Sequence, residues 1–153
     1  MIKLVAIGNR FMKDDGIAIK VAEYLEQRLQ NLNIQVIFGE TDCQTCFFLL
    51  NKEDFLFILD AFCKGAEPGS IHLIKLEEIN AQFIGSSMQH DMSLIDLIKI
   101  HKSNFKGYMI GVEIGELGFG DELSSVLQEK FHQICAEIER NIKKIIVEEI
   151  NYA

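Results

Sequence analysis

Asp60 is the residue most suited to chemistry in this chain. It follows the apolar run 55–59 and precedes Ala61 and Phe62, so its carboxylate is expected to be partly buried. A buried charge without a partner costs several kcal/mol, so such an Asp needs a metal, a cation, backbone donors or a proton. Asp14 and Asp15 stand where a first helix should begin. One acid there can cap the helix or favour its dipole, worth about 0.3–1 kcal/mol, which leaves the other to point elsewhere. His90 lies in the polar stretch 86–91. Two carboxylates and one imidazole, from Asp15, Asp60 and His90, suit a divalent ion such as Zn, Ni, Mn or Fe and leave coordination positions open. No local metal motif such as H-E-x-x-H is present. His72 alternates outward in a short strand pattern, and His101 and His132 lie near or on helices, so these three receive no chemical role.

These residues need a scaffold that brings them together. The run 2–7 is apolar apart from Lys3, as expected of a strand covered on both faces. From Asp14 onward Ala18, Val21, Ala22, Leu25 and Leu29 recur at helical spacing. The runs 34–38, 55–59, 71–76 and 108–114 read as further strands, and 47–50 as part of a short helix. Ser93 with Asp96 three residues on forms an acidic capping box for a helix through Ile100. Asp121 is the expected cap of a long terminal helix whose buried stripe runs from Leu123 to Ile145.

Strands alternating with amphipathic helices predict a three-layer α/β/α sandwich on a mostly parallel sheet of about five strands. With one Pro, no repeat and no linker, the 153 residues are expected to form a single domain, 1–153. In such sheets ligands bind beyond the carboxyl ends of the strands. The polar residues expected at that rim include Asn9, Asp15, Thr41, Asp42, Asp60, Gln89, His90 and Glu113.

Composition excludes several classes of function. The net charge is −8 and the pI near 5.0, which argues against nucleic acid as main partner. No apolar run approaches the ~18 residues of a membrane span. The N-terminal stretch does not read as a secretory signal. A cytoplasmic chain is therefore expected, with Cys43, Cys46, Cys63 and Cys135 reduced. Cys43 and Cys46 have C-x-x-C spacing but no second such pair, so they are read as structural. The stretch 8–16 lacks a phosphate-loop pattern, which disfavours a nucleotide or flavin binder.

Taken in order, the stretches 5–16, 38–42, 57–61, 68–69, 87–91 and 107–114 resemble the hydrogenase maturation protease family. The most specific piece is Gly8-Asn9-x-x-Met12-x-Asp14-Asp15-Gly16. The resemblance implies an endopeptidase that trims the C-terminal extension of the [NiFe] hydrogenase large-subunit precursor once nickel is inserted. It carries metal contact over to Asp15, Asp60 and His90, which would act through the metal. The neighbouring rim residues Asn9, Thr41, Asp42 and Gln89 are expected to touch the substrate. The metal is nickel carried by the substrate, with another divalent ion able to take its place. Two other readings stay open: a nickel-sensing partner that binds the precursor without cutting it, and a metal-dependent hydrolase of another substrate.

Overall fold

The computed structural model describes residues 1–79, 93–101 and 104–150. Five strands form one sheet: β1 (Ile2–Ile7), β2 (Ile34–Glu40), β3 (Phe55–Phe62), β4 (Ile71–Lys75) and β5 (Lys106–Glu113). Their order is β2-β1-β3-β5-β4. All neighbours are parallel except β4, which runs antiparallel to β5 at the edge. The mostly parallel α/β architecture expected from the sequence is therefore present.

Helices α1 (Ile17–Asn31) and α4 (Ser125–Ile145) cover one face, and α2 (Cys43–Phe48) and α3 (Leu94–Ile100) the other. Strand alternation divides the core accordingly. Phe57, Leu59 and Ala61 of β3 pack with Ala18, Leu25, Leu127 and Ile138. Leu56, Ile58 and Phe62 pack with Cys46, Leu94, Ile95 and Ile98. Both faces are apolar because both are covered, which is why these strands read as continuous hydrophobic runs.

The termini of several elements differ from expectation. Asp14 and Asp15 belong to a 3₁₀ turn (Lys13–Gly16), and α1 starts at Ile17 with Gly16 before it. Ser124, not Asp121, precedes the terminal helix. Its hydroxyl turns to Asp14 instead of capping. The capping box of Ser93 and Asp96 forms as expected, with bonds of 3.0 and 3.1 Å. A π-helical turn, Ile146–Ile150, extends α4.

Where β1 and β3 begin, Lys3 and Asp54 form an ion pair at 2.6 Å, both almost wholly buried. Lys3 Nζ also donates to the Leu49 carbonyl at 2.8 Å. This explains the one charge inside the first apolar run. Among the described residues no helix is long and apolar enough to cross a membrane.

Candidate functional site

The chain passes from β1 to β2 on one side and then returns across β1 to β3 on the other. This reversal opens a crevice at the carboxyl ends of β1 and β3, the usual ligand position in such sheets. Pairing of β1 with β3 stops at Ala6 and Leu59. Asp60 is the next residue. It lies inside β3, opposite Gly111 of β5, and not beyond the strand end as the sequence suggested. Its neighbours along the strand place it on the face covered by α2 and α3.

Asp60 is 5% exposed. Its Oδ1 accepts the N–H of Ala61 at 2.8 Å. Burial pushes its pKa up to about 8, the Ala61 N–H opposes this, and the charge of Asp15 adds to the rise. The two carboxylates expected to work together are thus near enough to feel each other.

Asp15 reaches the crevice through the turn after β1. Gly8 ends that strand at φ +142°, and a Cβ built there would overlap the carbonyl oxygen of Asp15. Only glycine allows the two segments to lie this close. Asp15 Oδ2 accepts the Asn9 N–H at 2.9 Å. Burial raises the Asp15 pKa, and the Asn9 N–H partly offsets the effect. The Asn9 side chain in turn accepts the Phe11 N–H at 2.9 Å, which tightens the turn.

The second rim segment is held by its own bonds. Glu40 has φ +51° and pairs with Arg10, which also meets Glu23 at 3.0 Å. Asp42 caps α2, accepting the Thr45 N–H at 3.0 Å and its hydroxyl at 2.7 Å. Those bonds hold the Asp42 pKa below its usual value. Thr41 is exposed beside it. His90 and Gln89 lie outside the described residues. Among the described residues, no group of three His, Cys, Asp or Glu side chains could hold a metal ion. The described part of the site is therefore the Asp15–Asp60 pair.

Three other side chains make long-range bonds that the sequence does not predict. His72 does not simply face solvent: its Nε2 meets Glu113 Oε1 at 3.2 Å and its ring stacks on Phe62. Glu113 is buried and also accepts the N–H groups of Lys64 and Ala66 at 2.8–3.2 Å. It thus organises the loop after β3. Sequence reading placed Glu113 at the rim without this role, because donors 47–49 positions upstream carry no local pattern. Asp14, one of the two acids of which either could cap the helix, is wholly buried and ties the loop before α4 to the 3₁₀ turn.

The cysteines are free. Cys43 lies near Asp60, and burial pushes its thiol up to about 11, with an opposing N–H from Leu94. Cys46 is buried beside Gly39, and its pKa is also raised by burial. Neither thiol is prepared for nucleophilic attack at neutral pH.

A family model described as hydrogenase maturation protease matches residues 19–141 of this chain. Asp60 and His90 fall inside that stretch, and Asn9 and Asp15 just before it. The hydrogenase 2 maturation protease of Escherichia coli (strain K12) is 27% identical over 99 residues, which is 63% of this chain and 60% of that protein. The match thus spans less than two thirds of that relative's length. Among solved structures, the hydrogenase maturating endopeptidase HybD of E. coli superposes with a TM-score of 0.77 at 21% identity, covering 94% of this chain and 92% of that one. The [NiFe] hydrogenase maturation protease HybD of Thermococcus kodakarensis gives 0.67 at 23% identity, with 91% and 97% covered. These likenesses establish a shared fold.

Proposed function

Since the chain belongs to the hydrogenase maturation protease family, we propose that it is an endopeptidase that removes the C-terminal extension of a nickel-loaded [NiFe] hydrogenase large-subunit precursor. Asp15, Asp60 and His90 recognise the nickel that the substrate carries. The observation that carries this reading is Asp60. It is a carboxylate at the switch point of the sheet, held by its own neighbour's N–H and destabilised as an anion first by burial and then by Asp15. A buried acid and a half-buried one facing one crevice gain strongly from a divalent cation. A cation brought by the substrate supplies that gain only when the substrate is loaded, so the same interaction acts as a checkpoint.

His90 is the third ligand in this reading. It stands three residues before Ser93 in the sequence, and α3 begins at Leu94 against Cys43, which is near Asp60. Carboxylate oxygen and imidazole nitrogen both suit nickel. The ion, or another divalent ion in its place, would polarise the scissile carbonyl or acidify an attacking water. Asn9, Thr41, Asp42 and Gln89 line the path of the substrate chain. Of these, Asp42 already spends its carboxylate on the α2 cap, so its contact is through the backbone or the outer face of that carboxylate. The cytoplasm is the setting we assign, and the four free cysteines are in keeping with it.

The test is incubation with precursor in nickel-loaded and nickel-free forms, followed by intact-mass spectrometry. Loss of a C-terminal peptide from the loaded form alone is expected. Tight binding of loaded precursor with no mass loss would instead identify a nickel-sensing partner. Cutting of both forms alike would remove nickel recognition from the account.

A further inference from the structure

Asp14 and Asp15 are adjacent on the 3₁₀ turn, and their side chains diverge. Asp15 faces the crevice, whereas Asp14 is wholly buried. The Asp14 carboxylate collects four donors from the segment between β5 and α4. Oδ2 accepts the N–H of Gly115 at 2.9 Å, the N–H of Glu116 at 2.7 Å and the Ser124 hydroxyl at 2.7 Å. Oδ1 accepts the Ser124 N–H at 2.7 Å. All four donors are neutral, and bonds to an ionised acceptor are roughly twice as strong as neutral ones.

The main chain repeats the connection. Lys13 donates its N–H to the Gly120 carbonyl at 2.8 Å, and Gly120 donates to the Phe11 carbonyl at 2.8 Å. Lys13 Nζ meets Glu116 at 2.5 Å. Lys13 also has φ +48°, a conformation that a non-glycine residue keeps only where its surroundings enforce it. The turn that presents Asp15 is therefore not held by its local bonds alone. It is also held by a segment about a hundred positions away.

We propose that Asp14 is a positioning residue for precursor processing: its carboxylate fixes the segment 115–124 against the 3₁₀ turn and thereby sets Asp15 at the crevice. The inference rests on the reading of Asp15 as a nickel contact. It also explains the pairing of two acids, one turned inward as an anchor and one outward as a ligand. A neutral amide cannot replace the anchor. Asn offers one acceptor oxygen, and its NH₂ would face N–H donors.

The experiment uses the full chain and its Asp14→Asn and Ser124→Ala variants. Amide hydrogen exchange and ¹H–¹⁵N spectra are recorded, together with kcat/KM on nickel-loaded precursor. In Asp14→Asn the amides of Gly115, Glu116 and Ser124 should lose protection. The Asn9 amide, which reports Asp15 because it donates to it, should lose protection and shift as well. Processing should fall by roughly ten- to a hundredfold, the scale of a 1 Å misplacement. Ser124→Ala removes one donor and keeps the backbone bonds, so the same amides should move in the same direction by less. It decides the matter if Asp14→Asn does not fold. Loss of protection confined to 115–124, with the Asn9 amide unmoved in the folded variant, would overturn the proposal and leave Asp14 a mere loop anchor. Full processing in that variant would overturn it as well. A wild-type chain that never cuts loaded precursor would defeat the protease reading alone, and the Asn9 amide would still decide whether Asp14 places Asp15.

Discussion

Asp15 adds to the rise in the pKa of Asp60, although 44 intervening residues and an entire βα unit separate them. The sheet order makes this possible, since β1 and β3 are neighbours and both end at the same crevice. From that relationship follow the acid–base behaviour of the site and the effects of changing it.

The first consequence concerns stability and pH. Burial first, and then Asp15, raises the folded pKa of Asp60 to about 8, while an unfolded Asp titrates near ~3.9. Between these values the folded state holds a proton that the unfolded state has lost, so stability falls as pH rises from about 4 to about 8. Asp60→Asn removes this dependence. Its Tm should exceed that of the wild type at pH 8, and the difference should vanish toward pH 4. Thermal unfolding followed by circular dichroism across this range checks it.

The proposed nickel contact makes a second prediction from the same groups. If Asp15 and Asp60 contact the substrate's ion as proposed, protons compete with that ion for both carboxylates, whose pKa values are raised. Affinity should therefore increase from pH 6 to pH 8. Titration calorimetry with nickel-loaded precursor measures this, and a flat profile would argue that the carboxylates do not touch the ion.

Thiol chemistry gives a third expectation. Burial raises the thiols of Cys43, Cys46 and Cys135, the first to about 11 and the last to about 12, and Cys63 is exposed. Iodoacetamide should label Cys63 first, as peptide mass mapping would show. The double variant Cys43→Ser, Cys46→Ser should process precursor largely as the wild type does. Abolished processing in a folded double variant would revive a thiol mechanism.

Gly8 offers a sharper steric test. Any side chain there meets the Asp15 carbonyl, at a φ that L-residues rarely adopt. Gly8→Ala should displace the turn and lower processing by at least about tenfold, while the α1 and α4 core remains folded by circular dichroism. Normal processing by Gly8→Ala would show that the approach of these two segments is not needed.

The architecture was readable in the sequence because both sheet faces are covered. Continuous apolar runs such as 55–59 suit strands packed on two sides, and the stripe from Leu127 to Ile145 marks α4. The position of Asp60 was legible for the same reason, since a lone acid after such a run stands out. Its place within β3 was not, because Ala61 and Phe62 continue the pairing with β5 past the end of β1. The opposite orientation of Asp14 and Asp15 was hidden too. Local rules favour either acid as a helix cap, and only donors from Gly115 to Ser124 decide which turns inward. Ser124 loses its own capping role to the same long-range bond. Long-range partners of this kind leave no periodicity to read.

The central claim is that carboxylates of this chain reach the nickel of its substrate. X-ray absorption at the nickel edge of loaded precursor, alone and in complex with the chain, measures this directly. Oxygen and nitrogen ligands should be added to the nickel on complex formation, and Asp60→Asn and His90→Ala should each remove part of that signal. A nickel spectrum unchanged by the wild-type chain, in a complex shown to form, would contradict the account.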